Sequence, residues 1–505
     1  MSRSVHSDVV RIGFIGAGHI ATYHSKSIRR ASADLDFTVE RAGVFDTERT
    51  RAESFARASG HIVMESVDDV LASCDAVYIC TWTSEHRRLV EAAVDAGRSV
   101  FCEKPLAPNL ADAITITELL ESSGTINQVG LVLRHSPAYL MARRLIEDPS
   151  AGRVMSVAFR DDQFIPIQGH YASTWRSDAS KAGAGTLLEH SIHDVDMLHA
   201  LIGPIRSVSA RRSSFHEHAG IEDVVAASFT FDAETGSASP QGVLTSVWHD
   251  NLARPGSRRV EVLCERRFIT IEGDDWSGPV TWTDSDGSTS SIGGAELMSA
   301  TRSLVSRDPN PDAAFLRAVL LGVPAHPDAG VALRAHRVVD AMYRSASHDG
   351  TTVAIQPVEA ILEVGVDDVR PLRLDVLRRG MANRSIDFDG DHDPTTFHLA
   401  AVDGSGSIVG TSTWMRRASV DHPDLVAVQL RGMATARHLQ GVGIGTRLLA
   451  AGVDRAGHEG AQIVWANARD TAVDFYRRNG FVVVGEGFVE PVTTLPHHRV
   501  VLRLA

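Results

Sequence analysis

RIGFIGAGHIA, residues 11–21, is a short apolar run that breaks into a glycine-rich turn, and the front of the chain is organised around it. Val9, Val10, Ile12, Phe14 and Ile15 read as a buried strand. Gly16-Ala17-Gly18-His19-Ile20-Ala21 then fits G-x-G-x-x-G/A, and residues 22–31 can continue as a helix. In such a strand–turn–helix the first glycine makes the tight turn and the second lets backbone approach a pyrophosphate. A small third residue lets helix pack on strand, and the helix N-terminus faces the phosphates. A plain strand-to-helix turn has the same look, so context decides. Residues 37–46 read as a second strand ending in Asp46, where an acid can bind an adenosine ribose hydroxyl; an ordinary strand-end aspartate is the alternative. Together these stretches predict a dinucleotide site at residues 16–20 and Asp46. NAD is favoured over NADP, because an acid there repels a 2′-phosphate, although Arg49 and Arg51 blunt that preference.

At 505 residues the chain is too long for one ordinary core, and roughly 150 residues per domain suggests three folding units. A net charge of −13 with no basic run disfavours nucleic acid as a partner. No apolar stretch approaches the ~20 residues of a membrane helix, and MSRSVHSDVV lacks an apolar signal core, so no membrane partner and a cytoplasmic location are expected. Cys74, Cys80, Cys102 and Cys264 have the spacing of neither a disulfide framework nor a zinc site, and no metal is expected.

Strands and helices alternate through the first 125 residues: strand 76–80, helix 84–96, strand 99–102, helix 109–122. This predicts a doubly wound parallel sheet, whose ligands lie beyond the carboxyl ends of its strands. Thr81 and His86 follow one strand end, Glu103 and Lys104 the next, and these four are the candidate cofactor-side residues. A lysine there can polarise an alcohol or ketone oxygen; a solvated surface lysine is the alternative. From residue 127 the texture changes to strand-like segments at 154–163, 207–215, 224–231, 243–248, 259–264 and 268–272, as expected of a mainly antiparallel sheet. One helix, 185–202, interrupts them. Glu189, His193 and Asp196 fall at i, i+4 and i+7 on one stripe of it. A carboxylate one turn from a histidine can fix its tautomer and raise its basicity, and a structural ion pair is the alternative.

GAGHIA at 16–21, CTWTSEH at 80–86, AGRSVFCEKPLA at 96–107 and GAGTLLEHSIHDVDML at 183–198 together resemble the Gfo/Idh/MocA family of NAD(P)-dependent oxidoreductases, over about residues 8–355. The resemblance implies a Rossmann domain over 1–126 and an α+β domain with an open, mainly antiparallel sheet over 127–356. The second of these supplies substrate contacts and a surface for a homo-oligomer, dimer or tetramer. It implies that Lys104 and His193 flank the carbon being oxidised, with Glu189 standing where the family often has an aspartate. Arg134, His135, Trp175, Arg176 and Asp196 are candidates around the substrate, which in this family is mostly a sugar, inositol or related polyol.

Residues 360–505 start a new pattern, with a strand at 428–434 and a second glycine-rich turn, Gln440-Gly441-Val442-Gly443-Ile444-Gly445-Thr446, running into a helix through 457. Exposed amides at a helix N-terminus form an anion site. The strand 462–466, Asn467 and the segment 468–481 (ARDTAVDFYRRNGF) complete a pattern that resembles the GNAT acyltransferases. The resemblance implies an α/β acyltransferase domain with acetyl-CoA as cofactor. Gln440 to Thr446 and Asn467 lie on the coenzyme, residues 428–434 line the pantetheine, and Tyr476 protonates the departing thiolate. The base for the acceptor amine is open among His438, Asp421, Glu486 and water. The expectation is a bifunctional enzyme: a dehydrogenase of a sugar or polyol fused to an N-acetyltransferase of a small amine. Two other readings stay open: a non-catalytic sensor of ligand or dinucleotide, and an oxidoreductase with a degenerate tail.

Overall fold

The computed structural model describes residues 9–504 apart from 33–34, 170, 234–236, 303, 305–309, 356–359, 380, 382, 403–406, 441–442, 492 and the side chain of residue 438. Of the expected site residues, Gly441, Val442 and the His438 side chain therefore lie outside the described residues. The chain divides into two compact units, Met1–Phe231 with Ser239–Ile355, and Gln356–Ala505 with Asp232–Ala238. Among the described residues no helix is long and apolar enough to cross a membrane.

The first unit opens with a parallel sheet of six strands: β1 (Val9–Ile15), β2 (Thr38–Phe45), β3 (Ile62–Val63), β4 (Ala76–Ile79), β5 (Ser99–Cys102) and β6 (Asn127–Val129), in the order 3-2-1-4-5-6. All four positions of β4 are buried, as a parallel strand covered on both faces must be. Phe14, Tyr78 and Phe101 stack across β1, β4 and β5 with centroids 4.8 Å apart, each contact worth about 1 kcal/mol beyond the area it buries. Phe315, on the later helix Pro311–Leu321, meets the same stack edge-on and so ties that helix to the sheet. The strand order reverses between β1 and β4. Gly16, after β1, and Thr81, after β4, thus sit at the switch point, where a crevice forms outside the strand ends.

The second sheet has nine strands: β7 (Val154–Phe164), β8 (Ile205–Ser213), β9 (Val224–Phe231), β10 (Gln241–His249), β11 (Ser257–Cys264), β12 (Arg267–Asp274), β13 (Gly278–Asp284), β14 (Thr289–Ile292) and β15 (Val353–Ala354). It is mixed, with β7 and β10 pairing in parallel and the other pairs antiparallel. Burial alternates along β9 and β10 with period two, so one face packs on the helices and the other stays open. One sequence expectation fails here. The single helix over 185–202 is two helices, Thr186–Glu189 and Ile192–Leu201. At the break the Ser191 amide reaches back five residues to Thr186 O (2.8 Å), and the Ser191 hydroxyl donates to Ser246 Oγ (2.6 Å).

The second unit holds a seven-stranded sheet: β16 (Ala360–Val364), β17 (Phe397–Val402), β18 (Ile408–Arg416), β19 (Ala427–Thr435), β20 (Ile463–Arg469), β21 (Val482–Val489) and β22 (Pro496–Arg503), in the order 16-17-18-19-20-22-21. β19 and β20 run parallel and pair from Ala427↔Ile463 to Leu430↔Ala466. Both strands continue beyond that point, so they part and leave backbone groups of residues 431–435 without this partner. The helix Ile444–His458 starts beside the parting, with Gly443 in the left-handed conformation at its N-cap (φ 86°).

Candidate functional site

The turn after β1 is built for close approach. Gly16 has φ 90°, and a Cβ there would meet the Cys80 carbonyl oxygen at 2.5 Å, so only glycine fits between β1 and β4. At Gly18 a Cβ would meet nothing within 4 Å, so the space over the second glycine is open. The helix that follows, His19–Ala31, has neither a side-chain cap nor an acid in its first turn. The amides of its first turn suit an anion, and the turn fits a dinucleotide pyrophosphate. Asp46 fastens the turn by accepting from the Ala17 amide (2.8 Å); its other oxygen takes the Glu48 amide (2.9 Å) and Arg51 (3.3 Å). His19 is exposed and Ile20 half-buried.

Lys104 leaves the end of β5 and is gripped by the helix break in the second half of the unit. Its ammonium donates to the Glu189 backbone oxygen (2.7 Å) and lies 3.7 Å from the Glu189 carboxylate. That carboxylate is buried and paired with Arg176 (2.8 Å), whose guanidinium stacks on Trp175 at 4.7 Å. Burial works against its charge, but Arg176 and Lys104 outweigh burial and hold Glu189 below the usual carboxylate range. Glu189 therefore does not orient His193, as the i, i+4 spacing suggested. The helix break turns it towards the lysine, and among the described residues the His193 Nδ1 has no hydrogen-bond partner. Asp196 is buried and forms a bidentate pair with Arg134 (2.8 and 2.7 Å), so it too serves an arginine and not the histidine. Burial first, then the charges of Lys104 and Arg258, push the His193 imidazole well below its ordinary value. A neutral imidazole near an ammonium is a proton acceptor set beside a group that favours an alkoxide.

Of the other candidates, Thr81 is half-buried. His86 is 1% exposed, with Nδ1 3.0 Å from Pro105 O, and so braces the segment that carries Lys104. Glu103 belongs to a buried chain that spacing could not reveal. Its carboxylate accepts from the Lys104 amide (3.1 Å) and meets His24 Nε2 (2.8 Å), while His24 Nδ1 meets Asp312 (2.6 Å). Burial opposes the charge on His24, yet Asp312 and Glu103 prevail and raise it from 6.5 to about 10. A folded-state value above the unfolded one gives stability that is fully present below about 6.5 and is lost as pH rises towards 10. Thermal unfolding of the first unit in the parent chain and in a His24→Gln variant should therefore differ most near pH 6, with the gap closing by about pH 10. A gap independent of pH would show that His24 is uncharged in the folded state.

A second buried network was likewise silent in the sequence. Arg258 on β11 binds Asp161 (3.2 Å), Asp194 (2.8 Å) and Asp275 (2.8 Å), and Asp161 also holds His190 (2.8 Å). Burial, with the Asp161 charge added, pushes Asp194 well above the usual carboxylate range. Elsewhere in the unit a cavity of about 420 Å³ has Arg134, His135 and His326 on its wall, away from Lys104 and His193.

In the second unit the helix Ile444–His458 again lacks a side-chain cap and a first-turn acid. Gly443 is half-buried, Ile444 buried, and Gly445 lies against the Phe475 ring; Thr446 is exposed, and Gln440 donates to Thr435 O (3.2 Å). This N-terminus also fits a pyrophosphate. Across the parting of the strands, the Tyr476 hydroxyl lies 3.9 Å from Met433 Sδ on β19, and burial raises its phenol, so it stays protonated at neutral pH. Asn467 is exposed on β20, just past the last pair with β19. Of the open candidates for a base, Asp421 is paired with Arg499 (2.9 Å) and Glu486 is exposed.

Comparison with known proteins agrees with this division. Residues 10–131 match the oxidoreductase family, NAD-binding Rossmann fold; residues 139–270 match the GFO/IDH/MocA C-terminal domain; and residues 393–483 match the acetyltransferase (GNAT) domain. An inositol 2-dehydrogenase of Cereibacter sphaeroides is 31% identical over 221 residues, 42% of this chain and 61% of its own length. A scyllo-inositol 2-dehydrogenase (NAD(+)) of Bacillus subtilis is 31% identical over 249 residues, 46% of this chain and 69% of its own length. The first of these is thus spanned over about three-fifths of its length. Among solved structures, levoglucosan dehydrogenase in complex with NADH and levoglucosan superposes with a TM-score of 0.60 at 18% identity, over 69% of this chain and 99% of that one. A putative myo-inositol dehydrogenase from Sinorhizobium meliloti gives 0.54 at 24% identity, over 68% and 99%. At those identities the likeness is one of fold.

Proposed function

Because the chain belongs to the Gfo/Idh/MocA oxidoreductase family and its residues 393–483 match a GNAT domain, we propose that it is a bifunctional enzyme. Its domains 1–126 and 127–356 form an NAD-preferring dehydrogenase of an inositol, sugar or related cyclic polyol. Its domain 360–505 is an acetyl-CoA-dependent N-acyltransferase. The observation that supports the first activity best is the pairing of the anchored Lys104 ammonium with a His193 that its charge helps keep neutral.

The turn at residues 16–20 and Asp46 hold the dinucleotide, whose nicotinamide, when bound, exchanges a hydride with the substrate carbon. In oxidation His193 takes the hydroxyl proton while Lys104 favours the alkoxide oxygen that becomes the carbonyl; in reduction His193 returns that proton. Glu189 and Arg176 fix the lysine. The relatives named for inositol dehydrogenation support a cyclic polyol as the substrate class. In the second unit the helix at Ile444–His458 and the parted strands hold acetyl-CoA, which supplies the acetyl group when bound, and Tyr476 gives its proton to the leaving thiolate.

Thermal unfolding of the whole chain with NAD, NADP and acetyl-CoA added separately tests both halves. A ligand at about 100 times its dissociation constant stabilises its own unit by about 2.7 kcal/mol. NAD and acetyl-CoA should raise two different transitions, NAD more than NADP. A transition that neither ligand moves removes the activity proposed for that unit.

A further inference from the structure

We propose that the acyl acceptor of the second unit carries an anionic oxyacid group, carboxylate or phosphate ester, and that Arg378 and Arg469 receive it. The proposal rests on reading that unit as a transferase.

Arg378 follows the helix Val366–Leu377, and Arg469 is the last residue of β20. The two converge on one atom, since Arg378 Nη1 (3.1 Å) and Arg469 Nη2 (3.0 Å) both donate to the Leu377 carbonyl oxygen. Arg378 spends its Nε on another carbonyl, that of Ser385 (2.7 Å). Among the described residues no carboxylate lies within ion-pair distance of either guanidinium. Two like charges brought this close repel, and Arg378 is only 7% exposed. A buried arginine is ordinarily paired, because an uncompensated charge out of water is costly. The chain supplies carbonyl dipoles and the Glu490 charge at longer range, but among the described residues no carboxylate in contact, and a ligand anion is the group that completes the set. A forked guanidinium pair matches the planar oxygens of a carboxylate or phosphate.

Glu490 is the acid whose charge reaches both arginines, and it is occupied: its carboxylate accepts the Thr493 amide (2.7 Å) and hydroxyl (2.8 Å). Burial lowers Arg378, and burial followed by the Arg378 charge lowers Arg469, which is the response expected of guanidinium groups that lack a partner anion.

The position of the pair gives it a function. β19 and β20 part after Leu430↔Ala466, and Arg469 stands three residues beyond that last pair on β20. On the β19 side the first residue past the parting is Arg431, which has no ion pair among the described residues, its guanidinium stacked on Phe388 at 4.5 Å. Met433, which touches Tyr476, is two residues further along the same strand, past an irregularity at Gly432 (φ 58°). An anion on the arginines would thus hold a small molecule at the same opening in which Tyr476 meets the leaving thiol. An acceptor without an acid group would leave these guanidinium groups with no anion in contact.

The test uses the full chain, acetyl-CoA binding by calorimetry, and CoA release with paired acceptors that differ only in the acid: an amino acid against its amide, and an amino sugar phosphate against the amino sugar. The anionic member of one pair should be favoured at least about 10-fold in kcat/KM, and which pair responds separates carboxylate from phosphate. Arg378→Gln and Arg469→Gln should each raise KM for that acceptor by about 10- to 100-fold and leave acetyl-CoA affinity within about twofold. Arg469 is partly exposed, so its variant reports even where loss of Arg378 harms folding. Acetyl-CoA binding with no preference for the acid overturns the inference alone, as does a loss of acetyl-CoA affinity in either variant, which would assign the arginines to the coenzyme. A parent chain that binds no acetyl-CoA overturns the transferase reading, and the inference with it.

Discussion

Replacing Lys104 by methionine should cut dehydrogenase turnover about 1,000-fold while NAD affinity changes less than about threefold. The size follows from where the ammonium is held. It is fixed by the Glu189 carbonyl at 2.7 Å and faces a buried carboxylate at 3.7 Å, in a region where water does little to screen it. A preorganised donor aimed at a developing alkoxide is worth about 10²–10³ in rate. The dinucleotide turn is made of other residues, Gly16 to Ile20 and Asp46, so binding should survive. The measurement pairs steady-state kcat on the best cyclic polyol of a panel with NADH affinity by fluorescence. Turnover within tenfold of the parent enzyme would remove Lys104 from the chemistry; lost NADH affinity would make it a binding residue.

Methionine keeps the length of the side chain and avoids a cavity, which matters because Lys104 also closes the contact between the end of β5 and the helix break. Without the ammonium, Glu189 retains Arg176 at 2.8 Å, so the variant does not strand an unpaired buried acid. Methionine leaves the Glu189 carbonyl oxygen without this donor, at a cost of about 1–3 kcal/mol in stability, and the chemical role is read in kcat.

Local signals made much of this molecule legible. The run before Gly16, the turn itself and the strands at 76–80 and 99–102 carry their structure in composition, because a parallel strand buried on both faces is mostly apolar, with Arg11 and Ser99 as the polar exceptions near the strand starts. The tail was readable because its two blocks stand at a helix start and a strand end, where backbone amides do the work. Spacing misled at residues 185–202. Glu189 and His193 are one helical turn apart on paper, yet the helix breaks between them, where the Ser191 amide reaches back five residues to Thr186 O, and the two side chains face different partners. The chain from Glu103 through His24 to Asp312 was out of reach for another reason. Its members come from a β5 end, the first helix and a helix near residue 312, and no periodicity links groups that distant in sequence. The same holds for Arg258, which lies on β11 while its acids lie on β7, on the helix Ile192–Leu201 and just past β12.

His193→Asn should lower dehydrogenase kcat by about 10²- to 10⁴-fold, and the parent enzyme's pH profile should show why. The base must be unprotonated to take the hydroxyl proton. Burial, then the charges of Lys104 and Arg258, hold its imidazole well below the ordinary 6.5. Lowering the value extends the unprotonated form towards acid, so kcat/KM for oxidation should be level through about pH 6.5, where an unperturbed histidine would bend it. The acid limb should lie well below. Lys104→Met then supplies a signature that a structural role for His193 does not predict. Removing the second-largest cause of the shift should move the acid limb upward, towards neutral pH, in the residual rate and in the histidine ring resonances. A limb at pH 6.5 in the parent enzyme, or one that stays in place when Lys104 is lost, would separate the two residues and leave the proton to another group, of which His190, held by Asp161 at 2.8 Å, is the first to examine.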